Sequence, residues 1–399
     1  MSLEILPYSP EAVPAVREFN RRLLAGGAPA SQQFPETPDP AWMPGMELFL
    51  AVEEGVVRGG YILRRQTFAV PGADIDAAHY RLPLSEGVVD RAYATLGLRM
   101  VRDALARQPR LYAMGMGGWD KPLPQMLKRL GWTMCAVPFH FKVVHPGRFL
   151  RHIRPLRTSP LRRAALDAAA FTGAGWLGMK ALGLARRLPT APVDLAPAFA
   201  PWTDEVWERA RPTYALLARR DADTLDRLFP PSAPRFLRVR AAGGWAVLLD
   251  TQMQDHKQFG DMRVGTIVDC LAPPESAAAI VRACTSLLEQ RGVDLIVSNQ
   301  LHAAWSSALL SSGFRTSESN YLLALSPALA KTVGQAGYPP VNPPETSPPL
   351  VDSSSPRRSV AFQAAMTPFK GAFLAGFPPP APYDHYHFNR GDGDGPIHL

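Results

Sequence analysis

Cysteine is scarce in this chain: Cys135, Cys270 and Cys284 are the three among 399 residues, each in an apolar segment. No Cys-x-x-Cys pair and no Cys/His cluster accompanies them, which argues against a disulfide framework and against a zinc site. Acidic residues are also in deficit, 35 against 43 Lys and Arg, and the net charge is +8. A basic chain favours anionic company, such as a phosphorylated cofactor, an acidic glycan, lipid headgroups or nucleic acid. A P-loop, a nucleophile–His–acid arrangement and metal-ligand spacing are all missing, so no metal is expected. The start, MSLEILPYSP, has no basic region followed by an apolar run, so secretion is not indicated and a cytoplasmic protein is the expectation.

What the chain does have is internal pattern. From Asp261 to Phe314 it reads strand (MRVGTIVDCLAP), turn (PPES), helix (AAAIVRACTSLLEQRG), strand (VDLIVSNQ), helix (LHAAWSSALLSSG) and strand (from Phe314, FRTSESNYLLALS). Ile280, Val281, Cys284, Leu287 and Leu288 recur at helical spacing, and VDLIVS is a short apolar run bounded by Gly292 and Asn299. The offset that separates Gly131 from Gly313 also maps His79–Trp132 onto this stretch without a gap, pairing Leu105 with Leu287 and Leu127 with Leu309. Two copies of one α/β (α+β) domain follow. The first runs strand (LEILPYS), helix (Pro10 to Leu24), strands LFLAVEEG, VVRGGYILRRQTFAV and AAHYRLPLSEGVV, loop DRAYATLG, helix LRMVRDALARQ, strand LYAMGMGG and helix LPQMLKRLG. The strand WTMCAVPFHFKVVHP closes it. The second opens with the helix WTDEVWERARPTYALLARR and a hairpin through GGWAVLLDTQMQDHKQFGDMRV.

This order of strand, helix, three antiparallel strands, helix, strand, helix, strand resembles the GNAT acyltransferase superfamily. A Gly followed by an aromatic ends the last core helix in both copies, Gly131-Trp132 and Gly313-Phe314, as is common in that superfamily. The resemblance implies two tandem GNAT-like domains, each a mixed, mostly antiparallel sheet flanked by helices. It implies an N- or O-acyltransferase with acyl-CoA (acetyl-CoA) as cosubstrate and an amine or hydroxyl acceptor, such as a small molecule, a glycan or a lipid-linked precursor. Leu127 and Leu309 occupy the position from which a tyrosine often protonates the leaving thiolate. The superfamily's Arg/Gln-x-x-Gly-x-Gly/Ala loop cradles pyrophosphate on backbone N–H groups at a helix N-terminus. Here Arg91 opens that loop in the first copy, with Ala94 where the first glycine belongs and Gly97 late. In the second copy Pro273, Pro274, Glu275 and Ser276 supply prolines without N–H groups and a carboxylate. Cofactor binding is therefore expected in the first copy, over Ser85, Gly87, Val88, Val89, Arg91, Tyr93, Ala94, Thr95, Leu96 and Gly97.

Glu86, at the end of the fourth strand, is the candidate base for the acceptor; a solvated strand-end glutamate is the competing reading. Asn299 and His302, with Ser298 and Gln300, cluster after the fifth strand of the second copy, where α/β sheets bind ligands or where a helix is simply capped. His140 alternates with Phe139 and Phe141 and reads as a surface strand residue that a cleft would recruit.

The domain reading is 1–147, a basic and apolar helical connector at 148–195, 196–332, and a Pro-rich tether with tail at 333–399. In the connector seven Arg or His residues precede the mild apolar run Ala164 to Ala185, which suits either a helix packed on the protein or peripheral membrane contact through 148–187. In the tail, His385 to Phe388 reads as a short strand that folds back, with Asp392 and Asp394 reaching the acceptor cleft; a solvated terminus is the alternative. Two other functions remain open. A Fem-type transferase would take its acyl group from charged tRNA, the one reading with a nucleic-acid partner, and a catalytically inactive scaffold would take none.

Overall fold

The computed structural model describes residues 3–38, 45–173, 192–317, 319–335 and 385–389. Along the chain run β1 (Glu4–Pro7), α1 (Val13–Ala25), β2 (Met46–Glu53), β3 (Val56–Val70), β4 (Ala73–Ser85), α2 (Leu96–Arg107), β5 (Leu111–Met114), α3 (Pro122–Arg129) and β6 (Thr133–Ala136). There follow β7 (Phe139–Val143), α4 (Pro146–His152), α5 (Pro160–Phe171), β8 (Asp194–Ala196), α6 (Pro201–Ala210), β9 (Leu216–Ala218), α7 (Ala222–Leu228), β10 (Leu237–Ala241), β11 (Gly244–Gln252) and β12 (Arg263–Leu271). The last are α8 (Ala277–Gln290), β13 (Leu295–Asn299), α9 (Ala303–Ser311), β14 (Arg315–Ser317), β15 (Leu322–Leu325), α10 (Pro327–Gln335) and β16 (Tyr386–His387). The fold is mixed α/β, with two mostly antiparallel sheets flanked by helices.

The chain divides into two units. The first is built on residues up to Ala136 and resumes at Asn320. Its sheet runs β1-β2-β3-β4-β5-β15-β6, antiparallel except where β4 and β5 pair in parallel. Period-two alternation gives this sheet two apolar faces. Leu48 and Leu50 of β2 join Ile62 and Leu84 under Val16, Phe19 and Leu23 of α1. Phe49 and Ala51 point the other way, with Tyr61 and Leu63, onto Met100, Val101 and Ala104 of α2. Burial of side chains such as Phe19 and Leu23 stabilises by about 1.5–3 kcal/mol each, and that burial fixes both helices against β3.

The second unit spans Val137–Ser319 and takes in His385–Asn389. Its sheet runs β14-β7-β13-β12-β11-β10-β8, with β12 and β13 parallel. One face carries Phe141, Val143, Val264, Leu295 and Val297, covered by Phe149 and Ile153 at α4 and Leu166 of α5. The first sheet takes β15 from far along the chain, whereas every strand of the second lies between Phe139 and Ser317.

Three differences from the sequence reading have local causes. The strand expected to run unbroken from Trp132 stops at Ala136 and resumes at Phe139 in the other unit. Pro138 lacks an N–H and restricts Val137, so the ladder cannot continue through it. The strand expected from Phe314 likewise divides: β14 stays in the second unit, and β15 pairs between β5 and β6 in the first. The helix expected over 202–220 ends at Ala210, because Pro212 and the 3-10 turn Arg211–Thr213 lead into β9.

The repeat itself also has a gap. In β4, Leu82 and Pro83 together face Tyr61, and in β12 an extra Val268 interrupts the pairing with β11; both are bulges. From bulge to helix the first unit spends Leu84–Thr95, but the second only Asp269–Ser276. The constant offset therefore holds for the helices and for β6 and β14 but fails at β4 and β12, and the difference is a longer loop in the first unit.

Candidate functional site

The bulge in β4 sits where its parallel partner departs. β4 and β5 pair over Ala78↔Leu111 and His79↔Tyr112; β4 then continues to Ser85 along β3, while β5 ends at Met114. His79 stacks on Tyr112 with ring centroids 4.8 Å apart, and its Nε2 accepts the Met114 amide at 3.3 Å. The imidazole thus takes over the amide that the ladder no longer serves, at the point where the strands part. Beyond that point β4 goes on without β5 towards the loop before α2.

That loop is two 3-10 turns, Glu86–Val88 and Arg91–Tyr93. Ser85 Oγ accepts from the Gly87 amide at 3.1 Å and Asp90 Oδ1 from the Ala92 amide at 2.9 Å. Gly87 lets the turns close on each other, since a Cβ there would run into the Tyr93 carbonyl. Val89 lies against Gly26, just past α1, leaving no room for a side chain there. Val88, Arg91, Ala94 and Thr95 are exposed, whereas Leu96 is buried in the core. The amides of Val89, Asp90, Tyr93 and Ala94 bond within the loop. Those available to an anion are at the head of α2, from Thr95 to Gly97, where a first helical turn has no internal acceptors. The structure therefore brings the predicted cofactor residues together, but as a tight double turn rather than an open glycine cradle.

Glu86 is only 5% exposed. Arg22 Nε reaches its Oε1 at 2.7 Å and Arg58 Nη1 its Oε2 at 3.1 Å. Arg22 also donates to the Val57 carbonyl at 2.6 Å. Arg58 lies 4.7 Å over the Tyr93 ring, and the Tyr93 hydroxyl donates to Glu53 at 2.8 Å, which pushes the phenol's pKa up. The carboxylate so bracketed ties the end of α1, the β2–β3 hairpin and the loop to one point. It is not a solvated strand end, and accepting a proton from an acceptor would cost it one of two charge-assisted bonds. Arg22, Arg58 and Glu53 escaped the sequence reading because they lie far from Glu86 along the chain.

In the second unit the matching place is occupied by the protein itself. β12 and β13 pair from Val264↔Leu295 to Ile267↔Ser298. Beyond that, the Phe388 carbonyl accepts from the Leu301 amide at 3.0 Å, and Asn389 bridges Gln300. Asn389 Nδ2 donates to Asp269 Oδ1 at 2.8 Å, and Arg220 Nε meets Asp269 Oδ2 at 2.8 Å, all fully or almost fully buried. β16 pairs in parallel with β9, Tyr386↔Leu216 and His387↔Leu217.

The second-unit candidates are engaged in this structure. Asn299 Nδ2 donates to the Pro138 carbonyl at 3.3 Å. His302 rather than Asn299 caps α9, its Nδ1 accepting from the Ala304 amide at 3.2 Å. Burial, with the nearby His387 and His385, pushes His302 down to about 3. His140 is not at the surface. It is 1% exposed between Ser306 at 3.3 Å and Thr316 at 3.1 Å, and burial pushes it down to about 4. Asp392 and Asp394 lie outside the described residues. Among the described residues no His/Cys/Asp/Glu group has the arrangement to hold a metal ion.

Each unit is GNAT-like in fold: α-helices on both faces of a mixed sheet, a bulged fourth core strand, and a parallel fifth that parts from it. No protein-family model and no curated protein matches the chain. Among solved structures it is similar to Eis1 from Mycobacterium abscessus, at 15% identity over 83% of this chain and 76% of that one, with a TM-score of 0.45. It is similar to Saccharomyces cerevisiae N-myristoyltransferase bound to myristoyl-CoA and inhibitors, at 11% identity over 82% and 79%, TM-score 0.48. A GCN5-related N-acetyltransferase from Anabaena variabilis gives 10% identity over 81% and 72%, TM-score 0.46.

Proposed function

We propose that the protein is an acyltransferase that carries an acyl group from acyl-CoA to an amine or hydroxyl acceptor, with the cofactor held by the first unit. One observation carries this reading. In the first unit β4 and β5 part above an exposed loop at a helix N-terminus, while in the second the matching gap is filled by Phe388 and Asn389. The pantetheine arm would run beside Ser85–Val89, and the phosphates would lie over Arg91–Gly97. The acceptor's lone pair attacks the thioester carbonyl carbon, the C–S bond breaks, the acceptor gives up one proton and the leaving sulfur takes up one, so the products are the acylated acceptor and free CoA. Since residues 127 and 309 are leucines, the sulfur's proton comes from another group. Glu86 acts here by holding the loop in place, through Arg22 and Arg58.

Calorimetry with acetyl-CoA, longer acyl-CoAs and charged tRNA tests the reading. Acyl-CoA should give heat, Ala94→Trp should weaken it at least tenfold, and Ser276→Trp should leave it unchanged. The reverse pattern would overturn the assignment of units. Heat with charged tRNA alone would replace acyl-CoA as donor, and heat with none of the three would replace the enzyme by a scaffold.

A further inference from the structure

We infer that the second unit carries a phosphate-binding cleft, separate from the acyl-CoA site proposed above, formed where α4 and α5 meet the turn at 255–261. The cleft has a volume of about 480 Å³ and is lined by Arg151, His152, Arg154, Arg157, Arg163 and Asp261, with Gly260. Volumes of this size accept a small ligand rather than a lone ion.

The arginines converge because the local chain makes them. Phe149, Ile153, Leu156 and Leu166 turn into the core against Met253 and Met262. The intervening Arg151, Arg154 and Arg157 are thereby left facing the cleft. The floor is closed by a tight approach. Gly260, at φ +56°, comes so near the His152 carbonyl that a Cβ would stand 2.7 Å from it. The turn is pinned by mutual backbone bonds between His256 and Gly260, 3.1 and 2.9 Å, and by the Arg154 amide on the Gln258 carbonyl at 3.0 Å.

The charges around the cleft do not cancel. Arg157 is fixed by both oxygens of Asp167, at 2.7 and 2.9 Å, and by the Leu150 carbonyl at 3.0 Å. Arg154 pairs with Asp255, and His152 lies 3.8 Å from Asp261. Arg163 spends its Nε on the Arg157 carbonyl at 3.0 Å, Arg151 is attracted by Asp167 only at longer range, and among the described residues neither guanidinium is held in a close ion pair. Two guanidiniums outside any close ion pair, beside a third locked in place, suit the oxygens of a phosphate ester. Leu161 and Phe171 of α5 are 81% and 85% exposed, which suits a phosphate presented by a lipid headgroup; a free phosphate ester offers the same chemistry.

The test uses the full chain and two probes, inorganic pyrophosphate by calorimetry and phosphatidylglycerol vesicles by co-sedimentation, with phosphatidylcholine vesicles as the neutral control. Binding to one probe or both is expected, reduced at least tenfold in Arg151→Gln/Arg163→Gln and unchanged in Arg227→Gln, an exposed cation elsewhere in the unit. Loss of vesicle binding at high salt with pyrophosphate silent would identify the source as lipid, and the converse a soluble ester. Binding to neither probe, or equal binding by Arg151→Gln/Arg163→Gln, overturns the inference. Arg163→Lys guards against a folding artefact: with the wild-type melting temperature kept, it should retain part of the binding. Heat from pyrophosphate held at the head of α2 would survive Arg151→Gln/Arg163→Gln, so only the part that this variant removes is assigned to the cleft, and that part is independent of the acyltransferase reading.

Discussion

At the scale of single residues, the buried polar groups carry information that spacing alone did not. Glu86 was legible as a strand-end carboxylate, but its role depends on Arg22 and Arg58, which only the fold brings to it. Asp269 stands in the apolar run of β12 and its partners Arg220 and Asn389 lie far away in sequence, so a charge inside a buried strand was the available signal. His140 shows the limit from the other side, because alternation places a residue on a face without saying what covers that face. Its neutral ring gives a pH prediction. The folded pKa of about 4 lies below the ordinary 6.5, so the unfolded chain binds the extra proton first. Stability is complete above pH 6.5 and falls as the pH is lowered from there towards 4, by on the order of 3 kcal/mol from this residue. Urea titrations at stepped pH should show the slope, and His140→Gln should flatten it if the variant keeps the native near-UV spectrum. An unchanged slope would remove His140 as the cause.

At the scale of elements, the core helices and most core strands were readable from periodicity, and β3 runs over the very residues expected of it, whereas α7, α10, β8 and β9 were not foreseen. The breaks were not. Pro138 and Pro212 terminate elements that apolar pattern alone would extend, and backbone chemistry prevails there over side-chain period. The bulges were invisible too, since an inserted Val268 looks like one more apolar residue. The short element β16 depends on what it is laid upon. Phe388 is 1% exposed, so Phe388→Ala should cost about 3–5 kcal/mol if the cavity does not collapse. Hydrogen exchange should then accelerate at Tyr386–Phe388 and at Leu216–Leu217 while β4 and β5 keep their protection. Equal acceleration throughout would mean that the segment is not a separable element.

At the scale of the whole molecule, the repeat was legible and the crossing of strands between units was not. Shared pattern reports that two similar domains exist, but not which strand completes which sheet. Because β15 lies between β5 and β6, residues 1–147 by themselves lack an interior strand of their own sheet. That fragment should be insoluble or show far-UV without near-UV circular dichroism, whereas the full chain gives both. A cooperative unfolding transition from the fragment would show that β5 and β6 can close without β15.

The Leu111 amide donates to Ser326 Oγ across 215 residues of chain. During synthesis the first sheet therefore waits. At ~5–20 residues per second, the stretch between β6 and β15 takes roughly 10–40 s to emerge, and for that interval the edges of β5 and β6 are unpaired and open to any other strand. The late arrival of β15 thus has a consequence in time as well as space. The first unit closes only once β15 has emerged and the second only with His385–Asn389, both late in translation, and holding of the nascent chain by a chaperone should raise the soluble yield far more than slowing its thermal unfolding would.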